Sequence, residues 1–137
     1  MKNQSFHPGR RRPWRLGLVA LLSIGLLTFG CARPKVADAN ANDDALGILR
    51  VALEAWQAGD TPATLKEKED IVATDPAWMK GTKLTKFKID EDHPRPSGYD
   101  VVIQAQLWLE DGKKAPQSAR FTVSTSPAQV VVRSFGG

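Results

Sequence analysis

The chain has 137 residues, with 19 Lys and Arg against 15 Asp and Glu and a formal net charge of +4. Five of the basic residues fall in the first 15 positions and every acid lies beyond residue 30, so the portion from residue 31 onward carries 14 basic and 15 acidic side chains. That length allows one small domain, the charge balance excludes a phosphate-neutralising nucleic-acid binder, and a single cysteine excludes an internal disulfide.

Residues 1–30 read as a targeting leader. Arg10, Arg11, Arg12 and Arg15 precede the apolar run Leu16 to Phe29, and Gly30 and Cys31 close it. The run holds 14 residues. As a helix it spans about 21 Å, short of the roughly 30 Å hydrocarbon core of a bilayer.

Leu27-Thr28-Phe29-Gly30-Cys31 resembles the lipobox of bacterial lipoproteins, matching at Gly30 and Cys31 and departing at Thr28 and Phe29. The resemblance implies export, acylation of Cys31 as the new N-terminus, and a membrane lipid as partner through Cys31. An uncleaved N-terminal anchor and ordinary cleavage are the alternatives. The family's sorting rule implies an outer-membrane destination where the cell has one, because Ala32 rather than Asp follows the cysteine. The expected localisation is the periplasmic or extracellular side of a membrane.

Residues 31–42 are small and polar and predict a flexible tether. An α+β domain is expected over 43–134. Asp43 or Asp44 can cap a helix in which Leu46, Leu49, Leu53 and Trp56 share one face, ended by Gly59. Thr61-Pro62 starts a short helix to about Glu69, and Asp75-Pro76 starts a single turn ended by Gly81.

From Thr82 the period becomes two. Phe87 and Ile89 alternate with Lys86 and Lys88, and Leu84 sits out of phase, marking a bulge or the start of the strand. Tyr99, Val101, Ile103, Ala105, Leu107 and Leu109 form one apolar face of a long strand; Asp100, Val102, Gln104, Gln106, Trp108 and Glu110 form the other. Asp111-Gly112 predicts a tight hairpin. Burial selects the register Ala105 with Ala119, Ile103 with Phe121 and Val101 with Val123, which requires an extra residue near Ala115-Pro116. After Ser126-Pro127, Val130 and Val132 are expected inward and Val131 and Arg133 outward.

The expected fold is one long N-terminal helix packed on a curved four-stranded antiparallel sheet. Leu53-Glu54-Ala55-Trp56-Gln57-Ala58-Gly59-Asp60 resembles the end of the first helix of the cystatin-like and NTF2-like group, and the strand run Tyr99 to Arg133 is similar to its sheet. The Asp75-Pro76-Ala77-Trp78-Met79-Lys80-Gly81 turn resembles small exported bacterial proteins of unknown function. NTF2-like membership implies a cone whose enzymes place an acid or base among strand residues facing the helix.

Here the inward residues are apolar apart from the Tyr99 hydroxyl, so no catalytic residue is assigned and no cofactor is expected. His93 lies beside Asp90, Glu91 and Asp92, but consecutive acids without a turn glycine do not make a calcium loop; a solvated turn is expected and no metal. The outer sheet face, with Gln104, Gln106, Trp108, Thr122, Ser124, Val131 and Arg133, is the candidate interaction face for a second copy or an envelope protein; Gln104, Gln106, Trp108 and Arg133 are its principal residues. The expected function is a membrane-tethered, non-enzymatic binding or accessory domain of the bacterial cell envelope. The alternative is an NTF2-like enzyme or small-ligand carrier with a pocket between helix and sheet.

Overall fold

Helix α1 (Ala39–Gln57) owes its place to one apolar stripe. Ala45, Leu49, Ala52, Leu53 and Trp56 recur at helical spacing and are all buried. Its end is a Schellman motif. Gly59 takes φ +93°, its N–H donates to the Trp56 carbonyl at 3.0 Å, and the Asp60 N–H donates to the Ala55 carbonyl at 2.9 Å. Residues 39–135 are those this computed structural model describes. The leader (1–30), Cys31 and the first part of the tether lie outside them. The helix begins at Ala39, so the last four positions expected as tether, and the expected cap at Asp43 or Asp44, lie within α1 instead.

Helix α2 (Pro62–Glu69) starts as expected, with Pro62 in its first turn and the Thr61 hydroxyl accepting from the Thr64 N–H at 3.2 Å. Its charged residues leave only Leu65 to bury. Strand β1 (Ile71–Thr74) follows at once, with Ile71 and Ala73 inward. Asp75 then caps the single turn α3 (Pro76–Met79), its Oδ1 accepting from the N–H groups of Ala77 at 2.8 Å and Trp78 at 3.1 Å.

The remaining strands are β2 (Leu84–Ile89), β3 (Arg95–Ser97), β4 (Asp100–Leu109), β5 (Gln117–Ser124) and β6 (Gln129–Ser134). They form a strongly curled sheet in the order β1-β6-β5-β4-β2, with β3 continuing beside β4 where β2 ends. The fold is therefore α+β with the long helix packed on the sheet. The sheet is six-stranded and mixed rather than four-stranded and antiparallel. The additional strands are β3 and β1, and β1 runs parallel to β6. A chain that must cross from β1 to β6 the long way round can enter parallel, because the intervening hairpins supply the crossover.

The β4–β5 register is Ala105 with Ala119, Ile103 with Phe121 and Val101 with Val123, as burial requires. The ladder stops at Leu107–Gln117, and residues 110–116 form a loop instead of a tight hairpin, so the additional length lies in the connection. The Asp111 carboxylate holds that loop by accepting from the Lys113 N–H at 3.0 Å. In β2 the pairing slips between Leu84 and Lys86, which is the bulge that brings Leu84 back into the core.

Two corrections concern side-chain direction. Tyr99 precedes β4 and is 74% exposed, so its hydroxyl is outside the interior. In β6 it is Val131 that pairs with Val123 and is buried, while Val132 is exposed. The strand is turned over relative to the expectation, and Arg133 faces the core side opposite Phe121.

Around the indole pair the helix and sheet close on each other almost without a gap. Trp56 stacks on Trp78 with ring centroids 5.2 Å apart. Each indole N–H finds a carbonyl: Trp56 donates to Thr82 at 2.8 Å and Trp78 to Asp60 at 2.7 Å. The void beside this pair, between α1 and the sheet, measures about 10 Å³, no more than one water.

Candidate functional site

The outer sheet face is built by alternation. Residues directly paired across an antiparallel ladder point to the same side, so register alone assembles the surface. Lys86 pairs with Trp108, Lys88 with Gln106, and Gln106 in turn with Ser118. Gln104 pairs with Arg120, and Arg120 with Ser134. Arg95 pairs with Val102, and Val102 with Thr122. The inward partners of these residues are Leu107, Ala105, Ile103, Ala119 and Phe121, all buried, which fixes the outward set.

Of the four principal residues expected on this face, three are there. Gln104 and Gln106 are exposed, and Trp108 is half-buried beneath the Lys86 ammonium, 5.0 Å from the ring centroid. Thr122 and Ser124 also lie there, the first sharing a 2.7 Å hydrogen bond with the Ser134 hydroxyl and the second bonded to Asp100. Arg133 and Val131 do not belong to this face. Arg133 is turned inward, its side chain only 14% exposed, and its Nη1 donates to Asp75 Oδ2 at 3.3 Å. The burial of Asp75 demands that cation, since a carboxylate taken out of water without a partner is costly. Cys31 lies outside the described residues.

Beyond the polar residues expected on it, the face carries a cluster of basic side chains. Lys86, Lys88, Arg95 and Arg120 all project from it, and none forms an ion pair among the described residues. The signal was present in the alternation, because each of these residues neighbours an inward hydrophobe in its own strand or an outward residue of β4. The face is bordered by the turn Asp90 to Asp92, where Glu91 is paired with Arg50 of α1.

Three depressions open on it, the first of about 260 Å³ and lined by Gln104, Ser118, Arg120, Ser134 and Phe135. The second, of about 640 Å³, wraps the β2 edge and is lined by Lys88, Gln104, Gln106 and Ser118 of the outer face, by Phe87, Ile89 and Ala105 of the inner face, and by Asp90 and the Arg50–Glu91 pair. The third, of about 280 Å³, is lined by His93, Arg95, Ser97, Val102, Gln104 and Arg120. At its rim His93 Nδ1 lies 2.9 Å from Asp90 Oδ1. That hydrogen bond, followed by the charge of Asp90, raises the His93 pKa above its ordinary value, while Arg95 opposes the rise. The same hydrogen bond from His93 lowers the Asp90 pKa.

Chemically, the face offers guanidinium, ammonium, amide and hydroxyl groups to solvent, with one large aromatic at its edge. It is suited to holding an anion or a polar partner. Comparisons with protein-family models, with curated proteins and with solved structures found no match.

Proposed function

We propose that the chain is an exported, membrane-tethered binding or accessory domain of the bacterial cell envelope, which works through the outer face of its sheet and not through an interior pocket. The observation that carries this reading is the contrast between the two faces of the sheet. At its centre the helix side is filled by hydrocarbon, two stacked indoles and the Asp75–Arg133 pair, around a void of about 10 Å³. The outer side presents Lys86, Lys88, Arg95, Arg120, Gln104, Gln106 and Trp108 to solvent.

An NTF2-like enzyme or carrier would need room between helix and sheet for a substrate, on the order of 300 Å³ or more. The Asp75–Arg133 pair is a buried polar group on that side; its members are committed to each other, and Asp75 also to the cap of α3. The tether rests on the order of basic residues, apolar run, Gly30 and Cys31. Several acyl chains on Cys31 would hold the domain firmly, where one would hold it only marginally.

Intact mass of the chain from a membrane fraction, together with detergent–aqueous partitioning of wild type and Cys31→Ser, tests the anchoring. The reading expects an acylated mass beginning at Cys31 and a shift of the variant to the aqueous phase. An unacylated wild type that partitions like the variant would defeat it.

A further inference from the structure

We propose that the depression over Gln104 is a binding site for a phosphate group, held between the guanidinium groups of Arg95 and Arg120 with His93 at its rim. This deepens the reading of the outer sheet face as the binding face and rests on it for the site's biological use.

The geometry is set by the strands. Arg95 of β3 pairs with Val102, and Arg120 of β5 pairs with Gln104. The two arginines therefore flank β4 from opposite sides, two strand spacings across and two residues along, about 12 Å apart at their Cα atoms. Both line the same depression, with Val102 and Gln104 between them. Neither is neutralised by a carboxylate among the described residues. Two like charges facing one hollow repel until an anion enters, and the attraction then acts from both sides.

The donor set selects phosphate over carboxylate. A guanidinium fork already satisfies both oxygens of a carboxylate, so two forks match an anion with more oxygens and more charge. His93 has Nδ1 engaged by Asp90, which leaves Nε2 as the nitrogen able to donate to a ligand. Ser97 and Gln104 add neutral donors. The volume, about 280 Å³, is below the usual range of drug-sized sites and suits a small anion or a headgroup. Between Cys31 and the start of α1 lie seven residues, Ala32 to Asp38. Their extended reach is at most about 25 Å, which bounds the distance at which an anchored domain could stand from lipid phosphates.

The test uses the full chain in a phosphate-free maltoside detergent. Inorganic phosphate is titrated while the His93 ring and arginine Nε resonances are followed by NMR, with acetate as the comparison anion. The proposal expects saturable shifts at His93, Arg95 and Arg120, and none with acetate. Arg120→Gln should weaken binding about ten-fold or more, as loss of a charge-assisted pair does, and Arg95→Gln with Arg120→Gln should abolish it. Both residues are exposed, and unchanged near-ultraviolet dichroism confirms that the variants fold. Shifts that do not saturate, that survive in the double variant, or that acetate reproduces would overturn the site.

A second arm places the chain in phosphatidylcholine nanodiscs with and without phosphatidic acid. Shifts on phosphatidic acid without dissolved phosphate assign the ligand to lipid; shifts only with dissolved phosphate assign it to the free ion; no response in either overturns the proposal. Should phosphate fail to bind while a cross-linker at Gln106 still captures a partner, the phosphate site falls and the binding face stands. Should phosphate bind while Gln106 captures nothing, the site stands and the wider reading of the face falls.

Discussion

Arg133 Nη1 lies 3.3 Å from Asp75 Oδ2, joining the last strand to the cap of a helical turn 58 residues earlier. Asp75 is 2% exposed and uses its other oxygen on the Ala77 and Trp78 N–H groups. One carboxylate thus terminates β1, starts α3 and fixes the direction in which β6 faces.

Breaking that pair should be expensive. Asp75→Ala removes a cap worth about 1 kcal/mol and strands a nearly buried guanidinium, for a total loss of about 3 kcal/mol. Asp75→Asn keeps the cap acceptor and should cost roughly half as much. Urea denaturation of both variants checks the order; equal costs would show that the cap contributes nothing beyond the ion pair, and an Asp75→Asn variant as stable as wild type would show that the ion pair contributes nothing beyond the cap.

The stacked indoles make a second prediction. Trp78→Ala removes a buried ring and its hydrogen bond to Asp60, and should cost about 3–5 kcal/mol. Trp56→Phe keeps a ring in place but leaves the Thr82 carbonyl without its donor, at about 1–2 kcal/mol. Thermal or urea unfolding measures both, and a Trp56→Phe loss as large as that of Trp78→Ala would contradict the separation of packing from hydrogen bonding.

What could be read from the sequence follows burial. The α1 stripe and the β4–β5 register were legible because a one-residue slip would have put Arg120 beside Ile103 in the core. The face of β6 was not legible. Val130, Val131 and Val132 are apolar in succession, so alternation gives no phase, and an inward Arg133 is tolerable only because of an aspartate remote in sequence. Strand β1 was hidden for a related reason: four residues between two helix caps carry little periodic signal, and their partner β6 is the last strand of the chain. On the outer face, Gln104, Gln106 and Trp108 were found by alternation along one strand. Lys86, Lys88 and Arg120 alternate with inward residues of their own strands, and pairing of those strands with β4 brings them together; Arg95 joins them only through the pairing of β3 with β4.

The His93–Asp90 pair gives a pH signature. The His93 pKa is raised above 6.5, so its stabilising contribution is complete below that value and disappears as pH rises through the folded-state pKa. The Asp90 pKa is lowered below 3.8, so its contribution is complete above that value and disappears as pH falls through the folded-state pKa. The pair therefore acts between the lowered aspartate and raised histidine values. The difference in unfolding midpoint between wild type and His93→Gln should be widest near pH 5 and vanish well above the histidine pKa. A difference that persists unchanged at pH 9 would assign it to something other than this pair.

Trp108 separates a binding residue from a packing residue. It is half-buried on the outer face under Lys86, and Trp108→Ala should lower stability by only about 1 kcal/mol, the scale of an exposed cation–π contact and partial burial. A loss near that of Trp78→Ala would make it a core residue.

The most direct measurement of the central claim compares two faces of one domain in the membrane fraction of intact cells. A photo-cross-linkable residue is placed at Gln106 on the outer sheet face, and in a second variant at Glu69 at the end of α2, both exposed. The account predicts a discrete cross-linked product from Gln106, lost when Lys88→Glu and Arg120→Glu are added, and none from Glu69. Equal cross-linking from both positions, or a Gln106 product indifferent to the charge reversals, would contradict it.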